Sequence, residues 1–156
     1  MNPPLRSPVD ARACRVALAD GTADAIATDH APHTEVDKAV EFGLAKPGIA
    51  SIETALGVLL EAVDAGALEL ETVVRALTIG PARVLEASAG GARSAGLVEG
   101  QAVDLVVIDR SDRWTVEPMA LRTKAFGNPL DGRSLPGRVL ATIAGGRIAH
   151  IDAERG

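Results

Sequence analysis

Asp24-Ala25-Ile26-Ala27-Thr28-Asp29-His30-Ala31-Pro32-His33 is the stretch on which the fold class turns. Its first five residues form a short apolar run of the kind that fills a buried strand of a parallel sheet. The run stops at Asp29, and a polar loop containing Pro32 follows. In (β/α) barrels the chemistry gathers at the C-terminal ends of such strands. A carboxylate beside imidazoles offers both a metal ligand and a proton carrier, the two parts that metal-assisted hydrolysis needs. The same residues have plainer uses. An aspartate after a strand also serves as a helix cap or turn former. His30 reads as a support for the loop, and His33 either reaches into a pocket or faces water.

Helical signals flank this stretch. Upstream, Ser7-Pro8 predicts an N-cap followed by proline at the first helical position. Val9, Ala13, Val16 and Ala17 share a face of that helix, and Gly21 ends it. Cys14 lies within it and reads as a small apolar residue packed on a helix. Downstream, the chain to Pro47-Gly48 is charged and irregular, a loop over something and not a linker between domains. Ser51 opens a helix to about Asp64, with Ile52, Leu56, Leu59, Leu60 and Val63 as its apolar stripe. Another runs from about Leu70 to Thr78, carrying Val73, Val74 and Leu77. Pro81 restarts a third, with Ala82, Val84 and Leu85.

The pattern changes after Gly90-Gly91. Val103 to Ile108 is a continuous run rich in β-branched residues, and Arg138–Ile143 and Arg147–Ile151 alternate as strands do. Gly145-Gly146 between the last two predicts a hairpin turn. The chain therefore divides into an α/β part over residues 1–87 and a β-rich part over residues 88–156.

Thr28-Asp29-His30-Ala31-Pro32-His33 resembles the last catalytic loop of dihydroorotases of the bacterial class I type. The resemblance begins at Asn2-Pro3-Pro4-Leu5-Arg6 and continues through Lys46-Pro47-Gly48-Ile49 and Ile52-Glu53-Thr54. It runs on through Thr78-Ile79-Gly80-Pro81-Ala82-Arg83-Val84-Leu85, Gly96-Leu97-Val98-Glu99-Gly100, Ala102-Val103-Asp104-Leu105-Val106-Val107 and Asn128-Pro129-Leu130-Asp131-Gly132. The aspartate loop and the Asn-Pro-Pro-Leu-Arg segment are specific to the family. The Pro-Ala-Arg helix and the Asp-Leu-Val strand recur across many amidohydrolases.

What the resemblance implies is concrete. The fold would be the C-terminal portion of a metal-dependent hydrolase (β/α)8 TIM barrel, followed by strands of a small composite β-sandwich. The reaction would be the zinc-dependent, reversible hydrolysis of the cyclic amide of (S)-dihydroorotate to N-carbamoyl-L-aspartate, a step of pyrimidine biosynthesis. Asp29 matches the carboxylate that ligates zinc and moves the proton of the metal-bound water. Asn2 matches a residue on the pyrimidine ring, and His33 one that contacts substrate near its carboxylate. Pro47-Gly48 stands where relatives, often with Phe-Gly, hold the ring by backbone groups; a proline there offers only its carbonyl.

The rest of the family's zinc cage has no counterpart here. The family's cage begins with a His-X-His pair, which the histidines here, His30, His33 and His150, do not form, and one carboxylate cannot hold a catalytic zinc, which usually takes about three protein ligands. A full barrel also needs roughly 250 residues, against 156 in this chain. The expectation is a C-terminal fragment that lacks the N-terminal part of the barrel and is inactive alone. Two other readings stay open: a related hydantoinase or allantoinase, and a non-catalytic dihydroorotase-like partner of aspartate transcarbamoylase. A homodimer is a further expected association.

Bulk properties exclude other classes. Charge is −5, from 16 basic and 21 acidic residues, and without a basic stripe nucleic-acid binding is not expected. No apolar run approaches the roughly 18 residues that cross a bilayer. A lone cysteine precludes an intramolecular disulfide and fits a reducing cytoplasm.

Overall fold

The computed structural model describes residues 2–89 and 96–152, with no account of the side chains at 87–89. Five helices come first: α1 (Pro8–Asp20), α2 (Glu35–Lys38), α3 (Ala55–Asp64), α4 (Leu70–Leu77) and α5 (Ile79–Ala89). Three strands follow, β1 (Leu105–Thr115), β2 (Ser134–Ala144) and β3 (Arg147–Ile151). The strands form one antiparallel sheet in the order β1-β2-β3.

Local chemistry sets the ends of these elements. At α1, Ser7 Oγ accepts from the Asp10 N–H at 3.2 Å, and Asp10 Oδ2 accepts from the Ser7 N–H at 3.0 Å. This reciprocal box satisfies two donors that a helix start otherwise leaves without partners. Gly21, at φ 84°, supplies the left-handed exit. The β2–β3 hairpin turns on Gly145 and Gly146, at φ 58° and 76°, the pair of positive values that a tight turn between twisted strands requires.

The core lies where α3 packs on β2, with α4 set against α3. Leu60, Val73, Ala76, Val116 and Leu135 are buried, and each large apolar side chain so placed stabilises the fold by about 1.5–3 kcal/mol. Gly57 is a point of close approach of helix to strand: a Cβ there would lie 2.8 Å from Leu135 Cβ and 3.2 Å from the Pro136 carbonyl oxygen. Around this contact, Arg133 pairs with Glu61 at 2.6 Å and Arg110 with Asp64 at 3.4 Å. The first and second parts of the chain thus share one core. α5 continues to Ala89, past the expected division at residue 87, and Gly90-Gly91 lies outside the described residues.

Several expectations need correction. Asp24–Thr28 joins no sheet among the described residues. The Ile26 N–H donates instead to the Ala76 carbonyl at 2.9 Å, and the nearby β contact is a single parallel bridge, His30 to Ile49. A parallel ladder needs an extended neighbour several residues long, and this segment meets the end of α4 and one extended residue. The α1 face is not core: α1 has no buried residue, and Val9, Val16 and Cys14 are exposed. Ile52 precedes α3 and is exposed, as are Val74, Val84, Leu85 and Leu105 to Val107. Among the described residues no helix is long and apolar enough to cross a membrane.

Replacing Gly57 by alanine tests the helix–strand contact. Alanine normally gains about 0.5–1 kcal/mol over glycine inside a helix, but overpacking costs about 1–3 kcal/mol. The crowding at Leu135 should win. Urea unfolding should show Gly57→Ala destabilised by about 1–2 kcal/mol, and a stabilised variant would contradict the packing.

Candidate functional site

Asp29 is exposed, and at φ 46° it is the sole non-glycine residue with positive φ among those described. Aspartate tolerates the left-handed region better than most residues. Such conformations occur at ordinary turns as well as at functional positions. Its neighbour His30 is exposed but tied to the next segment. The N–H groups of Ser51 and Ile52 both donate to His30 Nδ1 at 3.1 Å, so the proton of the neutral ring sits on Nε2. Ser51 Oγ donates to the Thr28 carbonyl at 2.7 Å. His30 therefore fastens the aspartate turn to the start of the α3 segment, the supporting role expected of it.

Three of the sequence-derived site residues come together. His33 Nε2 lies 3.0 Å from the Pro47 carbonyl oxygen; the carbonyl only accepts, so Nε2 donates. On the ring's other side, Nδ1 lies 3.9 Å from Asp37 Oδ2. Gly48, at φ 146°, packs so closely that a Cβ would fall 2.7 Å from the Ala31 carbonyl and 2.9 Å from His33 Nε2. Only glycine fits there. Asn2 is different: it is exposed and takes part in no hydrogen bond or ion pair among the described residues.

The charged stretch after His33 folds into a small frame. The Thr34 N–H and hydroxyl donate to Asp37 Oδ2 at 3.4 and 2.9 Å, opening α2. These bonds hold the Asp37 carboxyl below its ordinary value of 3.8, with the His33 and Lys46 charges adding in the same direction. Lys38 Nζ donates to the Lys46 and Gly48 carbonyls, both at 2.7 Å, clamping the segment that carries Pro47. Pattern reading passed over Lys38, although the Thr-X-X-Asp spacing of residues 34–37 is a capping signature. It also gave Glu53 and Asn128 no role. Glu53 accepts the Arg122 and Thr123 N–H groups at 2.9 Å each, and Asn128 Nδ2 donates to the Ala50 carbonyl at 3.1 Å.

Asp29 suits a metal as a single carboxylate ligand. The described residues contain no group of three or more His, Cys, Asp or Glu able to hold a metal ion, and a catalytic zinc usually takes about three protein ligands. The described residues do not by themselves make up a zinc site.

Comparison with known proteins gives a consistent picture. No protein-family model matches the chain. It is 54% identical over 150 residues to a dihydroorotase of Anaeromyxobacter dehalogenans strain 2CP-1, covering 96% of this chain and 34% of that protein. Among solved structures, a D-hydantoinase (dihydropyrimidinase) from Thermus sp. superposes with a TM-score of 0.81 at 27% identity, over 97% of this chain and 33% of that one. An inactive dihydroorotase-like domain of the Chaetomium thermophilum CAD-like multifunctional protein shares the fold, with a TM-score of 0.62 at 22% identity over 95% of this chain and 38% of that one. The chain spans about a third of the length of the curated relatives it matches.

The Asp37 frame predicts a pH response of defined sign. A carboxyl whose folded pKa is depressed contributes stability above its unfolded pKa and loses it as pH falls through the folded value. The Thr34 and Asp37 amide signals should titrate together with a midpoint below 3.8. A midpoint above 3.8, followed by NMR titration, would contradict the frame.

Proposed function

From the premise that this chain is a segment of the dihydroorotase/hydantoinase amidohydrolases, we propose that it serves dihydroorotase: the reversible hydrolysis of the cyclic amide of dihydroorotate to N-carbamoyl-aspartate. The observation that carries this reading is the 54% identity to a dihydroorotase along 96% of the chain. The loop headed by Asp29 supports it, since His33, Pro47 and Gly48 meet there. The barrel remainder, and with it the zinc that the family resemblance implies, belongs to a longer protein in this proposal. Asp29 gives that centre one carboxylate, and the remaining ligands come from outside this segment.

This chain's own residues have separable tasks. Asp29, exposed at the head of the loop, takes a proton from water and returns it to the departing ring nitrogen, the work of a general acid–base group. His33 presents a donor nitrogen to the substrate carboxylate. The Pro47 carbonyl accepts from a ring N–H, and Gly48 keeps the backbone close enough for that contact. Asn2 adds an amide to the same ring once the rest of the protein surrounds it.

A chimera tests the reading. The chain is joined to the remaining two thirds of the Anaeromyxobacter dehalogenans relative and assayed with dihydroorotate, hydantoin and allantoin. Turnover of dihydroorotate is expected, and Asp29→Asn should lower it about 10²–10⁴-fold. A preference for hydantoin would move the assignment to the hydantoinases. A folded, zinc-loaded chimera with no turnover would favour a non-catalytic scaffold. Elemental analysis should find stoichiometric zinc in the chimera and less than one equivalent in the purified 156-residue chain. Full occupancy of the chain alone would refute the shared-ligand proposal.

A further inference from the structure

We propose that Glu53 is a positioning residue for His33, acting through the connection between β1 and β2. The proposal rests on the reading of His33 as a substrate-contacting group. Glu53 sits in the turn before α3 and is half-buried. Its two carboxylate oxygens are divided between consecutive amides: Oε2 accepts from the Arg122 N–H and Oε1 from the Thr123 N–H, each at 2.9 Å. Hydrogen bonds to an ionised acceptor are the strong class, and a two-oxygen grip on adjacent N–H groups fixes direction as well as position.

From that anchor the chain turns towards the site. Thr123 Oγ1 accepts the Ala125 N–H at 3.2 Å, and the next residue, Phe126, donates its N–H to the His33 carbonyl at 2.9 Å. Beyond it, Asn128 ties down the other side. Its Nδ2 donates to the Ala50 carbonyl at 3.1 Å, its Oδ1 accepts the Leu130 N–H at 3.0 Å, and its own N–H donates to Asp131 Oδ2 at 3.2 Å. The His33 contact therefore lies between two anchors, both fastened to the segment that leads into α3. Glu53 does not touch His33. It sets the register of the strap whose amide holds the His33 backbone, and that backbone aims the ring at the Pro47 carbonyl.

A purely structural role for Glu53, confined to starting α3, is separable by experiment. The full chain, labelled with 15N, carries three histidines, so the His33 ring signals can be followed beside those of His150 as an internal control. Glu53→Gln keeps the shape but replaces one acceptor by a donor, so one of the two amides loses its partner. We expect amide exchange at Arg122, Thr123 and Phe126 to accelerate roughly tenfold, and the His33 ring signals to shift. The His150 signals and the helical circular dichroism should stay unchanged. Faster exchange at Arg122 and Thr123 with unmoved His33 signals would overturn the proposal. If Glu53→Gln does not fold, Asn128→Ala decides: shifted His33 signals support the strap, and unmoved ones overturn it. None of these readouts needs turnover. A failed dihydroorotase assignment would leave them interpretable, and their failure would leave that assignment intact.

Discussion

The approach of α3 to β2 governs the molecule. Gly57 lets the helix backbone come within contact of Leu135 and Pro136, and Leu60 fills the space one turn along. Helix and strand come from opposite halves of the sequence, so this one contact joins them into a single core. A side chain at position 57 would lift the helix off the sheet and carry the turn that precedes α3 with it. That turn holds Ser51, Ile52 and Glu53, whose amides and carboxylate fasten the His30 ring and the β1–β2 connection. The geometry around Asp29 and His33 is therefore downstream of packing more than twenty residues away in sequence.

Features set by neighbours in the chain were legible. The Ser7-Pro8 start and Gly21 stop of α1, the bounds of β3 and the Gly145-Gly146 turn follow from local rules, and the structure has each of them. Burial was not legible. Val9 and Val16, or Leu105 to Val107, have the period or composition of a core face and are exposed. Periodicity reports which residues share a face; it does not report whether anything covers that face. The run at 24–28 failed for a related reason, because an apolar extended segment becomes a strand only where a partner supplies the ladder.

The candidate site divides along the same line. Asp29 and His33 stand out as residue types at the end of an apolar run, while resemblance alone points to Pro47 and Gly48. The contact of His33 with Pro47 spans 14 residues, and those of Glu53 with Arg122 and Thr123 span 69 and 70. No spacing rule reaches so far. Glu53 stood in plain view within Ile52-Glu53-Thr54, yet a carboxylate that grips two backbone amides leaves no pairing signal in side-chain identities.

The His33–Pro47 hydrogen bond has a thermodynamic consequence for any ligand that uses the imidazole donor. The His33 Nε2–H is already spent on the Pro47 carbonyl, so a newcomer that takes this donor exchanges a partner and does not fill an empty one. Its gain is the difference between two hydrogen bonds, not the whole of one, and such differences are about 1 kcal/mol. A ligand that replaces both halves together, offering an acceptor to the imidazole and a donor to the carbonyl, leaves neither group stranded. A ligand carrying only the acceptor leaves the Pro47 carbonyl without its former partner. The loop thereby discriminates by completeness: it rewards a molecule with both functions suitably spaced and disfavours one that brings the acceptor alone.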